Sequence, residues 1–144
     1  MRQVTEQDAR QMIAVVNTRN VDKVMEQYAD NATFQVPILE TPLHGKDAIR
    51  AFMTGNFAAF PDWTIDVTKV FVNGDETVVV NSVRGTHTGP LTGVDGKVHA
   101  PTNKKFTQDQ ATRVIFNEHG KVLSLRVFGN SADLNHQLGL PLPK

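Results

Sequence analysis

The sequence predicts an α+β protein in which helices come first along the chain and a curved antiparallel sheet follows. Two observations predict this class. Up to about residue 60, apolar residues recur at helical spacing, and from residue 63 onward β-branched runs alternate with turn residues. Short connections between such runs favour antiparallel pairing, and this order of elements is typical of folds with their helices on one face of a sheet.

Three helices are predicted in the first part of the chain. Residues 5–19 carry apolar side chains at helical spacing, and Thr5 followed by Asp8 resembles a capping box. A second, short helix follows Asn20 and ends near the turn-forming Asp30. Residues 33–36 form a short β-prone segment, and residues 45–60 form a third helix that Pro61 closes.

Four strands are predicted in the second part, at residues 63–72, 77–88, 106–117 and 121–128. The turn signals between them are Asn73-Gly74, a stretch with glycine and proline between residues 89 and 103, and His119-Gly120. We expect the tail LGLPLPK to follow the surface or cover a pocket mouth.

Alternation along the strands places a mixture of apolar and neutral polar side chains on one face. The second strand presents Val79, Asn81, Val83, Gly85 and His87 together, and the third presents Phe106, Gln108, Gln110, Thr112, Val114 and Phe116. If these faces meet the helices, they suit a cavity for a mostly apolar small molecule. The alternative is that the amides and hydroxyls only satisfy nearby backbone groups.

Length, charge and composition exclude several classes of function. A chain of 144 residues is the usual size of one domain, which we expect to span residues 1–144. Fifteen basic and fifteen acidic side chains give zero net charge, so we expect no nucleic-acid or membrane partner. Without cysteine there are no disulfides or thiolate sites. No apolar run reaches the ~20 residues of a membrane span, and we expect a cytoplasmic protein.

The segment RGTHTGP, at residues 84–90, contains the candidate proton-transfer group His87. Its ordinary pKa lies near neutrality, which suits a general base. Six residues of strand place it ~20 Å from Asn81, so the two could line one long cavity but not contact one small reacting group. His99 lies in the following loop, which could cover the cavity, and Asp109 falls on the opposite face of its strand. Scattered histidines and acids show no metal-ligand spacing, so we expect no metal.

Five segments in order together resemble the SnoaL-like polyketide cyclases of the nuclear transport factor 2-like superfamily. They are NVDKVMEQYADNATF, LHGKDAIRAFMTGNFAAFPDW, VVVNSVRGTHTGP, the PTNKK turn and NSADLNHQLG. The resemblance implies a cone of three N-terminal helices on a strongly curved, mostly antiparallel sheet, with a deep pocket between them, and a homodimer formed through the exposed sheet face. We expect the ligand pocket to be lined by Met12, Val16, Tyr28, Val36, Met53, Phe57, Phe60, Trp63, Asn81, Gln110, Thr112 and Val114.

The resemblance also locates the positions of three catalytic groups of the family, and all three are replaced here. The aspartate that serves polyketide cyclases as general acid/base corresponds to Thr112, and the ketosteroid isomerase base corresponds to Val36. The isomerase oxyanion tyrosine falls near Met12. We therefore expect binding of a small, largely apolar, polyketide-like or cyclic molecule, with cofactor-free cyclisation, isomerisation or hydrolysis through His87. The alternative is a ligand-binding or dimerisation module without chemistry.

Overall fold

The computed structural model describes residues 3–92 and 97–140 and confirms the predicted α+β class. Within these residues the helices are α1 (Glu6–Val16), α2 (Val21–Glu26), α3 (Lys46–Ala59) and α4 (Ser131–Leu138). The strands are β1 (Tyr28–Gln35), β2 (Leu43–His44), β3 (Thr64–Asn73), β4 (Glu76–Thr86), β5 (Leu91–Thr92), β6 (Val98–His99), β7 (Lys105–Phe116) and β8 (Val122–Phe128).

The main sheet has the strand order β2-β1-β8-β7-β4-β3. Neighbouring strands are antiparallel except β1 and β8, which run parallel, and β5 pairs with β6 in a separate small sheet. The two long strands β4 and β7 show the predicted alternation, because every second residue from Thr77 to Gly85 and from Phe106 to Phe116 is buried, apart from a half-buried Gln110. The faces predicted for these strands are therefore confirmed.

Helices α1 and α3 cover the inner face of this curled sheet. Helix α1 begins with the predicted capping box, in which the Asp8 N–H donates to Thr5 Oγ1 at 3.1 Å and the Thr5 N–H donates to Asp8 Oδ2 at 2.9 Å. Its buried residues pack on the apolar residues of the sheet, and α3 adds Ile49, Met53 and Phe57 to the same core. This arrangement leaves one side of each helix facing the concave side of the sheet.

Besides the short strands β2, β5 and β6, which the sequence pattern did not indicate, the structure differs from the predicted elements at two places. The second helix ends at Glu26 rather than near Asp30, because the Gln27 carbonyl accepts from the Val122 N–H at 2.7 Å and draws the chain into the sheet. Strand β1 therefore begins at Tyr28, earlier than the predicted β-prone segment. The second difference is α4, a helix near the C-terminus that the sequence reading did not assign.

The turn after β4 requires a glycine at position 89, the second glycine of RGTHTGP. The N–H groups of Thr88 and Gly89 both donate to the Ala59 carbonyl at 3.1 Å, which ties this turn to the C-terminus of α3. A Cβ atom at Gly89 would lie 1.8 Å from the Ala58 carbonyl oxygen, so only glycine allows this approach. The motif thus joins the helix layer to the sheet.

Parts of two predicted coverings fall outside the described residues. Residues 93–96 of the loop that could cover the pocket lie outside the described residues. Residues 141–144 of the tail also lie outside them. Within the described part of the chain, no helix has the length and apolar character needed to cross a membrane.

Candidate functional site: a cavity between the helices and the sheet

A cavity of about 550 Å³ opens between helices α1 and α3 and the inner face of the sheet. All of the predicted pocket residues line it except Asn81 and Val114. Val114 is fully buried in the apolar core, and Asn81 is buried beside Thr112. The size and the mostly apolar wall are those of a pocket for a small molecule.

Aromatic rings form one end of this cavity. Phe60 and Trp63 both line it, with their ring centroids 5.7 Å apart, and Phe106 packs against both rings from the sheet. Such tilted and edge-on contacts stabilise the ring positions beyond what burial alone gives. A flat ring system in the cavity would therefore meet an ordered aromatic wall.

Tyr28 places a phenol at the cavity wall. The residue is 2% exposed, and no group within the described residues hydrogen-bonds its hydroxyl. Burial raises the pKa of Tyr28 above its ordinary value, so the hydroxyl stays protonated at neutral pH. It is a neutral hydrogen-bonding group at the cavity wall.

Three polar side chains of β7 add a stripe of neutral groups to the wall. Gln108, Gln110 and Thr112 alternate on the inner face and all line the cavity. The Gln110 Nε2 donates to Gln108 Oε1 at 3.0 Å, and the Thr112 hydroxyl donates to Asn81 Oδ1 at 3.0 Å. Asn81 thus acts on the site through Thr112, which it helps to orient.

Charge is almost absent from the lining. Among the described residues that line the cavity, Glu40 is the sole charged one, and it is exposed at the rim. Thr112 and Val36, the positions that the resemblance gives to catalytic acids, both lie at the wall. The described part of the interior therefore offers hydrogen bonds but no carboxylate or imidazole for proton transfer.

His87 lies on the predicted face but outside the cavity lining. It is fully buried, with its ring 5.6 Å from that of Phe60, and Phe60 is the residue that faces the cavity. The Thr102 N–H donates to Nδ1 at 3.3 Å, and the Thr102 Oγ1 lies 3.1 Å from the same atom. Burial lowers the pKa of His87, which keeps the ring neutral in this setting. The histidine joins the two ends of the loop between β4 and β7.

The other titratable candidates also stand away from the cavity. His99 is half-buried in β6, and Asp109 is exposed on the outer face of β7, as its alternation predicts. Neither lines the cavity. Within residues 3–92 and 97–140, no group of three or more histidine, aspartate or glutamate side chains is arranged to hold a metal ion.

Sequence reasoning missed the part of the wall that α4 supplies. Leu134 and Asn135 line the cavity from this helix. A signal for the helix was present, because Asn130 caps it by accepting from the Asp133 N–H at 3.1 Å, and Gly139 ends it in a left-handed conformation. Both residue types at that spacing are helix-boundary signals.

Comparison with known proteins places these features in a family. Residues 7–138 match the family model for the SnoaL-like polyketide cyclases. A comparison with curated protein sequences gave no significant match.

Solved structures share the fold at low sequence identity. A predicted SnoaL-like polyketide cyclase from Jannaschia sp. CCS1 superposes with a TM-score of 0.78 at 20% identity, over 98% of each chain. A protein with a ketosteroid isomerase-like fold from Catenulispora acidiphila DSM 44928, in complex with trimethylamine, superposes with a TM-score of 0.77 at 16% identity, over 96% of each chain. SalBIII, an epoxide hydrolase/cyclase-like enzyme with a role in pyran ring formation in salinomycin, superposes with a TM-score of 0.74 at 21% identity. The match covers 89% of this chain and 92% of SalBIII.

Proposed function

Because this chain belongs to the SnoaL-like polyketide cyclase family, we propose that its cavity binds an uncharged, largely apolar, ring-containing molecule of polyketide type. The observation that carries the proposal is the lining itself. About 550 Å³ of space is enclosed by apolar and aromatic side chains, with neutral hydrogen-bonding groups from Tyr28 and β7. Such a pocket stabilises an apolar ligand by burial, while a few polar groups fix its orientation.

A second candidate function is cofactor-free ring closure or isomerisation, and Tyr28 is the observation that favours it. A buried, protonated phenol without a partner suits the stabilisation of negative charge that develops on a carbonyl oxygen. Among the described lining residues the one carboxylate is the exposed Glu40, and Thr112 and Val36 stand where the family's acids would be, so a buried base is the element that this part of the wall lacks. Substrate binding is therefore the better supported function, and chemistry would depend on Tyr28 rather than His87.

A blocking substitution tests the binding proposal. Gly55 lines the cavity from α3, and nothing lies within 4 Å of a Cβ atom added there. We expect Gly55→Leu to add an apolar side chain at the cavity wall, whereas the neighbouring Thr54→Leu, an exposed position outside the lining, is the matched control.

The measurement uses Trp63, which is the single tryptophan of the chain and lines the cavity. Titration with 9,10-anthraquinone should quench its fluorescence in the wild type and in Thr54→Leu. The Gly55→Leu variant should lose roughly tenfold or more in affinity, because the added side chain takes space that the ligand needs. Equal quenching in all three proteins would show that the ring binds elsewhere.

The ring-closure candidate is tested separately. A linear polyketone of matching length is incubated with the wild type and with Tyr28→Phe, and isomeric products of unchanged mass are measured by chromatography. A cyclised product that depends on Tyr28 would support an enzyme. Binding without turnover in both proteins would leave the protein as a binding module.

A further inference from the structure

Two glutamines of β7 form a chain of hydrogen bonds that begins at a backbone carbonyl and ends at the cavity. The Gln108 Nε2 donates to the Asn130 carbonyl oxygen at 2.6 Å. The Gln108 Oε1 in turn accepts from the Gln110 Nε2 at 3.0 Å. Both side chains line the cavity, and Gln108 is 8% exposed.

The direction of this series of hydrogen bonds follows from the chemistry of the Asn130 carbonyl, where it begins. A backbone carbonyl oxygen only accepts, so the Gln108 atom that faces Asn130 is the amide nitrogen. The other end of the Gln108 amide is then an oxygen, and the Gln110 atom that faces it is again a nitrogen. The Gln110 Oε1 is therefore the terminal atom, and no group in the described part of the chain donates to it.

Gly129 has no side chain, and the two glutamine side chains pack in the space that this leaves. A Cβ atom at Gly129 would lie 3.0 Å from Gln108 Oε1 and 3.3 Å from Gln110 Cγ. The glutamine side chains thus pack directly on the Gly129 backbone, in space that any larger residue would occupy. Packing on one side and hydrogen bonds along the chain keep the Gln110 amide from rotating freely.

We propose that the Gln110 Oε1 recognises a hydroxyl group of the ligand, so that the cavity selects hydroxylated aromatic rings over their methyl ethers. This inference rests on the proposed function, because it requires that the ligand occupy the cavity. A phenolic hydroxyl donates to the fixed acceptor. An ether oxygen only accepts, so a methyl ether buries the acceptor without a partner, and leaving a buried acceptor unpaired lowers affinity.

The test compares 2-naphthol with 2-methoxynaphthalene by calorimetry. The wild type should bind 2-naphthol roughly tenfold more tightly, although the ether is the more apolar compound. Gln110→Met keeps the length of the side chain and removes the amide, so it should abolish this preference. The matched control is Gln27→Met, because Gln27 donates to the Met12 carbonyl at 3.4 Å and does not line the cavity.

A second variant keeps both amides and changes only their support. Gly129→Ala should shift the glutamines by a few tenths of an ångström and reduce the preference for 2-naphthol without removing it. Equal affinities for the two compounds in the wild type, or a preference that survives in Gln110→Met, would overturn the inference while the binding function stands. If neither compound nor anthraquinone binds, the proposed function fails and the inference fails with it.

Discussion

At the scale of single residues, Tyr28 is the clearest case of a polar group held ready for a ligand. The residue is buried at the cavity wall, and its hydroxyl makes no hydrogen bond within the described residues, so removing it costs no internal hydrogen bond. We expect Tyr28→Phe to leave the free energy of unfolding within ~1 kcal/mol of the wild type. Affinity for 9,10-anthraquinone, which carries carbonyl oxygens, should fall roughly tenfold.

The matched ligand for this prediction is anthracene, which has the same ring system without oxygen. Thermal unfolding and tryptophan quenching measure stability and affinity in the same samples. A similar loss of affinity for anthracene would mean that the substitution reshapes the cavity, and would contradict a hydrogen-bonding role for Tyr28.

His87 gives a prediction about pH rather than about binding. Because burial lowers the pKa of His87 in the folded state, the unfolded chain takes up the proton first as pH falls. The stability contributed by the neutral ring is therefore fully present above the unfolded pKa of about 6.5 and declines as pH falls from there toward the lowered folded pKa. Protonation at Nδ1 would also oppose the donation from the Thr102 N–H.

Unfolding temperatures between pH 7.5 and pH 5 measure this effect. We expect His87→Gln to be less stable at neutral pH but to lose less stability on acidification than the wild type does. His119→Gln, at an exposed histidine, is the control and should follow the wild type. A His87→Gln protein with the full pH dependence would show that other groups cause it.

Alternation along a strand is enough to predict which face His87 occupies, but not what stands in front of it. Phe60 comes from the end of α3 and fills the space between the imidazole and the cavity lining. That contact depends on the packing of a helix against a strand that lies far along the sequence. The same limit applies to Asn81, whose face was predicted while its bond to Thr112 was not.

At the scale of elements, local signals located most helices and strands, and tertiary contacts set the rest. The capping box of α1 and the alternation in β4 and β7 are sequence-local and were predicted. The start of β1 was not, because it depends on the parallel pairing of Tyr28 with Val122 in β8. Parallel pairing between distant segments leaves no local pattern in a short strand.

The junction between α3 and the turn after β4 gives a prediction at this scale. Gly89→Ala places a methyl group against the Ala58 carbonyl and should break the contacts of Thr88 and Gly89 with Ala59. We expect a loss of ~1–3 kcal/mol, as for other substitutions that overpack a tight contact. The control is Gly55→Ala, on the helix α3 that Gly89 contacts. A Cβ atom at Gly55 meets no neighbour, so this substitution should stabilise the protein by ~0.5–1 kcal/mol. Chemical denaturation compares the two, and equal effects would contradict the close approach at Gly89.

At the scale of the whole molecule, the outer face of the sheet carries two exposed aromatic residues. Phe71 is 53% exposed and Phe128 is 47% exposed, on the side away from the helices. The predicted homodimer stays a prediction, and this face is where we expect it to form. Light scattering should give twice the monomer mass of 15.9 kDa, and Phe71→Ser combined with Phe128→Ser should return the monomer. An unchanged mass in the double variant would place the interface elsewhere.

The central claim, that the cavity holds an uncharged apolar ring, is tested most directly by comparing ligands that differ in charge. The measurement is the affinity of the wild type for 9,10-anthraquinone and for anthraquinone-2-sulfonate. Because the lining carries no cation among the described residues, a buried sulfonate would lose its hydration without a partner. We predict that the neutral compound binds at least about a hundredfold more tightly. Equal or tighter binding of the sulfonate would contradict the account.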